Sequence, residues 1–498
     1  MPLLYGTFIN FARTALVGLF VLTQVLLLLY SAHRILTLFR WLRRPQRGVP
    51  APAPATWPRV TIQLPLYNER LVAERLIDAA ASMDYPADLL EVQVLDDSTD
   101  QTTERVTDAA ARHRARGIEI DVVRRGDREG YKAGALAEGL RRALGELIVV
   151  FDADFVPGPD FLKRIVPYFA DPRVGMVQAR WGHLNRDRSL LTVAQAVMLD
   201  AHFLVEHRAR MCSELFFNFN GTAGAWRRAC IESAGGWTHD TLTEDLDLSY
   251  RAQLSGWKFI LAPQVEAPAE LPAEVHALQS QQRRWAKGSI QTARKLLPVV
   301  WRSDLPVRIK LEAVFHLTGN IAYPLVLLSG LLLLPVITLR STAAPGLAVA
   351  LDLSAILVGL VPVCLFLASG QIAAGARGWR IVRDLMAVLV VGAGLSVNNS
   401  IAVLQGFQKR VGDWERTPKT GDGGARADFK PYGPGRILNG RTEVVLALYF
   451  GWLVGLAWIG GHARSIPFLL LLFCGLGYVG VRSLWESLAA MRGGGTSA

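Results

Sequence analysis

Residues 147–155 read LIVVFDADF. A short, continuous apolar run breaks at once into two acids, Asp152 and Asp154. The run has the length and composition of a strand buried on both faces. Residues i and i+2 of a strand face the same way, so both carboxylates can converge on one hard cation. A solvated turn after a strand would carry the same letters.

The pattern recurs on the N-terminal side. VTIQLPLYNE (60–69) is a short apolar strand ending in polar residues. EVQVLDDSTD (91–100) is another, ending in Asp96 and Asp97. Helical stretches separate the strands, TTERVTDAAARHRA (102–115) and one from Lys132 among them, and IEIDVV (118–123) adds a strand. Strands alternating with helices predict a mostly parallel sheet. Ligands of such sheets bind beyond the carboxyl ends of the strands, which is where these acids fall. Lys132, in GYKAGAL, can meet a diphosphate there as a point charge.

Two further stretches lie downstream. TLTEDLDLSY (241–250) sets Glu244, Asp245 and Asp247 within four residues. Its local reading is a capping box, with Thr241 or Thr243 capping a helix whose first turn favours acids. That helix would run through LDLSYRAQL to a stop at Gly256. QQRRW (281–285) puts Gln281, Arg284 and Trp285 at i, i+3 and i+4, on one helical face. The face offers an amide, a guanidinium that can fork onto phosphate, and a flat ring against which a sugar can stack. An ordinary basic patch before a membrane helix is the alternative.

The chain has 498 residues, 51% of them hydrophobic, and a net charge of +11. Its basic residues form no long tract with interleaved aromatics, which argues against a nucleic-acid partner. They cluster beside apolar runs, as in HRILTLFRWLRRPQR (33–47), and fit positive-inside flanks. The four cysteines form no CxxC pair and the histidines no HExxH, so neither a disulfide framework nor a zinc site is read.

Residues 10–32 are long enough to span a bilayer, and PAPAPATWP (50–58) follows as a stiff linker. Further candidate spans are 314–339, 346–369, 443–463 and 467–486. The stretch 384–407 has arginines before it and Lys409 and Arg410 after it, and is interrupted by Asn398, Asn399 and Ser400. It is read as an interfacial or re-entrant helix, which leaves five spans. The expected organisation is a transmembrane helix and linker (1–58), a cytosolic α/β domain (59–310), two transmembrane helices and an interfacial helix (311–407), a cytosolic loop (408–442), and two transmembrane helices with a short tail (443–498).

In this order and with these gaps, DDSTD, DAD, TED and QxxRW resemble the motifs of family 2 processive glycosyltransferases of the cellulose synthase type. LPLYNER, QVLDDSTD, GYKAGAL, FDADF, VQARW, FNGTAGAWR, ESAGGW, EDLDL, GWKF and QQRRW narrow the resemblance to the plant cellulose synthase-like A and C enzymes. Those make mannan or glucomannan and the glucan backbone of xyloglucan. The resemblance covers about residues 60–290. DWERTPKTG (413–421) is similar to the gating loop of such synthases, with Thr417 and Lys419 at its Thr and Lys positions and Arg416 in place of the usual Val.

The resemblance implies a glycosyltransferase A-type domain, Rossmann-like, inserted in an α-helical membrane bundle. By position it implies that Asp96 and Asp97 contact the donor nucleotide and that Asp152 and Asp154 bind the diphosphate through Mg²⁺ or Mn²⁺. Asp245 would be the general base, with Glu244 beside it toward the acceptor. Gln281, Arg284 and Trp285, with Lys132, would hold the diphosphate and the acceptor sugar. The base is expected to need no raised pKa. The expected activity is inverting, processive synthesis of a β-linked hexose polysaccharide, coupled to secretion. The donor would be GDP-mannose by the A-type resemblance or UDP-glucose by the C-type, and the partners a growing β-glycan and the lipid bilayer. The chain would sit in an inner (plasma) or Golgi-type membrane with its catalytic domain cytosolic. The alternative is an enzyme adding one sugar to ceramide or a polyprenyl phosphate. A non-catalytic export component is disfavoured by the intact acids, and a transporter by the scarcity of charges within the spans.

Overall fold

The computed structural model describes residues 2–43, 54–339, 355–408, 421 and 440–493. Seven strands form one sheet: β1 (Val60–Leu66), β2 (Leu90–Asp96), β3 (Glu119–Val123), β4 (Leu147–Val150), β5 (Val174–His183), β6 (Gly224–Arg227) and β7 (Lys258–Ala269). They lie in the order β3-β2-β1-β4-β6-β5-β7. β6 runs antiparallel between β4 and β5, and every other pairing is parallel.

β4 shows why the sheet is covered on both sides. Leu147 and Val149 enter one core with the helices Ala73–Ala81 and Thr102–Arg114, while Ile148 and Val150 enter a second with the helix Tyr131–Arg142. Polar residues inside this double layer satisfy one another in register. Thr61 lies opposite Glu91 and Gln63 opposite Gln93. The Thr61 hydroxyl donates to Glu91 at 2.5 Å, and Gln63 Nε2 donates to Gln93 Oε1 at 3.0 Å. Left unpaired, each such group would cost about 1–3 kcal/mol.

Two local expectations change. β4 ends at Val150, and Asp152 and Asp154 occupy a turn beyond it. Turn geometry, not the period of a strand, therefore relates the two carboxylates. The helix Glu244–Leu254 does begin after Thr243, but the Thr243 side chain makes no capping bond. Its hydroxyl is 3.2 Å from that of Thr292 in the helix Val275–Arg302. The two elements approach so closely at Gly288 that a Cβ there would lie 2.5 Å from Thr243 Cγ2. Gly256, at φ +89°, ends the helix as the sequence suggests.

Among the described residues, five helices are long and apolar enough to cross a membrane: Phe11–Arg43, Val307–Leu333, Ile356–Ala373, Arg441–Ile459 and Ala463–Ala489. The helices Trp379–Gly394 and Ser396–Gly406 form a pair bent by 51°, which would make a sixth if it counts as one span. Asn398 and Asn399 are fully buried there, and Asn398 Nδ2 donates to the carbonyl of Gln279 at 3.0 Å. The bent pair is thus joined to the helix that carries the QQRRW stretch. A second tie to that helix comes from the last one. The Glu486 carboxylate accepts from the N–H groups of Val275 and His276 at 2.9 and 3.0 Å, and so caps the head of Val275–Arg302. Between the first span and the second, Glu312 accepts from His33 Nε2 at 2.5 Å and Arg40 at 2.7 Å.

Candidate active site

A cleft with an empty volume of about 1320 Å³ opens beyond the carboxyl ends of β1, β2 and β4. Asp97 follows β2 into it, and Asp152 and Asp154 follow β4. Lys132 reaches it from the helix Tyr131–Arg142, and Glu244 and Asp245 from the head of their helix. Gln281, Arg284 and Trp285 line it from Val275–Arg302. The fold thus brings nine of the residues singled out in the sequence to one place, from five separate segments.

Asp96 does not line it. Asp96 is 2% exposed, accepts from the Ser98 N–H at 3.0 Å and pairs with Arg124 Nε at 3.2 Å. Thr417 and Lys419 lie outside the described residues. Gly421, which closes their stretch, donates its N–H to Glu270 at 3.2 Å, and Glu270 lines the cleft.

The centre of the cleft is a knot of opposed charges. Lys132 Nζ is 2.5 Å from Asp152 Oδ1 and 2.9 Å from the carbonyl of Gly221. The Asp152 N–H donates to Thr222 Oγ1 at 2.8 Å. Gly221 has φ +81°, and a Cβ there would sit 3.0 Å from Asp245 Oδ2 and 3.4 Å from Lys132 Nζ. Glycine serves this position twice, through its backbone angle and through the closeness of the carboxylate. Asp245 Oδ1 accepts from the Leu246 N–H at 2.7 Å.

Charge is scarce on the positive side here. Burial pushes the Asp245 carboxyl up to about 7, Glu244 beside it adds to the rise, and Lys132 opposes it. Burial raises Glu244 in the same way. This differs from the expectation of an unshifted base. Burial works against the charge on Lys132, yet Asp152, Glu244 and Asp245 outweigh it and hold the ammonium above its usual range. Asp97 has a closer match: Arg125 pairs with it through Nη2 and through Nε at 3.0 Å.

Sequence reading passed over several residues of the cleft. Arg128 lies over the Tyr67 ring, 3.2 Å from its centroid, and both line the cavity. Their signal was RRGDREGYK (124–132), a basic run between a strand and a helix. Asn220 also lines it, from within the FNGTAGAWR stretch. As for metal, no cluster of three or more His, Cys, Asp or Glu is arranged to hold an ion among the described residues. Asp152 and Asp154 suit one all the same. Mg²⁺-type sites commonly take one or two carboxylates and complete their shell with substrate phosphates and water.

Residues 58–288 match the family model described as glycosyltransferase like family 2. The chain is 44% identical over 254 residues to glucomannan 4-beta-mannosyltransferase 2 of Arabidopsis thaliana, covering 50% of this chain and 48% of that protein. To glucomannan 4-beta-mannosyltransferase 1 of Oryza sativa subsp. japonica it is 42% identical over 254 residues, covering 50% and 49%. The chain thus spans about half the length of the curated relatives it matches. Among solved structures, the mannosyltransferase PcManGT from Pyrobaculum calidifontis, in complex with GDP-Man and Mn²⁺, superposes with a TM-score of 0.50 at 25% identity, over 80% of this chain and 100% of that one. The sheet and its helices share that glycosyltransferase A-type fold.

Proposed function

We propose, from a chain whose residues 58–288 are a family 2 glycosyltransferase domain, that this protein is a membrane enzyme transferring mannose from GDP-mannose to the end of a β-linked glycan, repeatedly and with inversion. The observation that carries the reading is the half-buried Glu244–Asp245 pair facing Lys132 and Asp152 in the cleft. The names of the relatives and the ligands of the similar solved structure favour mannose and GDP over UDP-glucose.

An acceptor hydroxyl loses its proton to Asp245 as its oxygen attacks the anomeric carbon of the donor. The bond from that carbon to the diphosphate breaks on the opposite face, which turns an α-linked donor into a β-linked product. A carboxyl raised to about 7 by burial is well matched to taking a proton near neutral pH. Lys132 and Arg284 meet the charge that grows on the leaving diphosphate. Asp152 and Asp154 would hold Mg²⁺ or Mn²⁺, which supplies Lewis-acid stabilisation when bound. Asp97 and the Tyr67–Arg128 pair border the nucleotide side, while Gln281 and Trp285 border the acceptor. Thr417 and Lys419, outside the described residues, keep the gating-loop assignment that the resemblance implies. On this reading the boundaries stand at 1–58, 59–310, 311–407, 408–442 and 443–498, with the catalytic domain on the cytosolic side and the product leaving among the apolar helices.

The test is nucleoside diphosphate release by detergent-purified protein with Mn²⁺ or Mg²⁺, offered GDP-mannose, GDP-glucose and UDP-glucose in turn. Release with GDP-mannose and a polymer cut by β-mannanase supports the reading. Release with UDP-glucose and a glucanase-sensitive polymer replaces the donor. A solvent-extractable product carrying one sugar overturns processive synthesis in favour of lipid glycosylation.

A further inference from the structure

The turn Asn220–Thr222 carries three of the contacts that assemble the acidic centre. Its Gly221 carbonyl accepts from Lys132, its Thr222 hydroxyl oxygen accepts from the Asp152 N–H, and Gly221 abuts Asp245. The turn is itself held through Asn220, which lies between two histidines of one π-helical stretch, His202–His207. Such stretches are rare and gather at functional sites.

The polarity of this clamp follows from one carbonyl. His207 is fully buried, and its Nε2 is 3.0 Å from the carbonyl oxygen of Asn218 and 2.9 Å from Asn220 Oδ1. A carbonyl oxygen only accepts, so His207 Nε2 carries the proton. Burial holds this imidazole well below its usual range, which keeps it neutral. With Oδ1 committed to His207, the Asn220 amide nitrogen faces His202 Nε2 at 2.9 Å and donates to it. His202 then keeps its proton on Nδ1, 3.4 Å from Glu206. Turning over the Asn220 amide would set two donors against each other at His207, so the three side chains fix one another's sense. The arrangement extends outward. Glu206 pairs with Arg210 at 3.2 Å, and Arg210 lies 3.8 Å from Glu312, the partner of His33 and Arg40 in the first apolar helix.

We propose that His202 and His207 are positioning residues for sugar transfer: by fixing Asn220 they set the turn that registers Lys132, Asp152 and Asp245 against one another. Neither histidine lines the cleft. The proposal rests on the transferase reading given above.

The test compares His207→Leu, which removes the N–H, with His207→Gln, which can return one. Two readouts are taken on the full-length protein in detergent: steady-state release of nucleoside diphosphate, and amide hydrogen exchange over residues 150–155 and 218–224. The leucine variant should lose about tenfold or more in kcat, because sub-ångström misplacement of reacting groups is costly. Its KM for the donor should rise by less than kcat falls, since Asp97 and Arg284 line the cleft from segments other than this turn. Exchange over both stretches should quicken, and the glutamine variant should restore both readouts. A leucine variant with normal kcat and normal exchange overturns the proposal, as does a glutamine variant impaired as badly as leucine. If the wild-type protein releases no diphosphate, the transferase reading fails, while the exchange comparison still decides whether His207 holds the turn. Should His207→Leu not fold, His202→Phe against His202→Gln makes the same comparison at a part-exposed ring.

Discussion

Asp96–Asp97 and Glu244–Asp245 are both pairs of adjacent acids that the sequence places at the ends of buried elements; Asp97, Glu244 and Asp245 line one cleft, and Asp96 does not. The first pair is matched charge for charge, Asp96 with Arg124 and Asp97 with Arg125. The second shares its cations: Lys132, which Asp152 already engages at 2.5 Å, and Arg284, which lowers Glu244 from across the cleft. The matched pair is built to hold a shape. The unmatched pair carries a carboxyl raised to about 7, where it can exchange a proton. Similar pairs of acids thus differ in how directly a cation engages each carboxylate.

The comparison breaks most sharply at Asp245. Asp245→Asn should reduce turnover by about 10²–10⁴-fold, the usual contribution of a general base, while calorimetry finds nucleotide binding intact. Near-normal turnover would return Asp245 to a capping role.

Arg125→Met should make the first pair resemble the second. It strands the Asp97 carboxylate, which is 7% exposed, and should cost about 3 kcal/mol in stability, seen as a lower Tm in detergent. An unchanged Tm would mean the match is not what holds Asp97.

Asp96→Asn probes the outer member of that pair. Arg124 is 46% exposed, so its interaction is screened, and the Ser98 N–H keeps its acceptor. About 1 kcal/mol should be lost, with the KM for the donor unmoved. A large rise in KM would put Asp96 back in contact with the nucleotide, as the family resemblance implies.

The smallest effect sharpens the comparison. A base raised to about 7 gives kcat/KM an acid limb: activity falls as pH drops below that value and the carboxyl takes up its proton. Glu244 contributes to the rise, so Glu244→Gln should move the limb to lower pH. A limb that stays in place would assign the shift to burial alone.

Much of this was readable in the letters. Parallel strands announce themselves as unbroken apolar runs, and ligands gather at their carboxyl ends, so DAD and DDSTD pointed to the cleft before any coordinates. Helical spacing did the same for Gln281, Arg284 and Trp285. Which of two adjacent aspartates faces the ligand was not readable, because that depends on β2 ending at Asp96 and on arginines 28 residues further along. Nor was the antiparallel β6, whose four residues gain their identity from two distant strands. The raised carboxyl at 245 escaped for the same reason: burial and neighbours are properties of the assembled site. The histidines around Asn220 carry no spacing signal at all, since a π-helical turn follows neither of the periods that sequence patterns use.

The cap on the helix Val275–Arg302 has a consequence for how the molecule comes into being. Val275 and the Glu486 that caps it are 211 residues apart. A ribosome therefore delivers every acid of the cleft, and the glutamine, arginine and tryptophan opposite them, long before it delivers the carboxylate that seats their helix. During that interval the nascent chain has its chemistry but lacks its last fastening. Seating of the helix that bears Gln281, Arg284 and Trp285 therefore waits on the segment around Glu486.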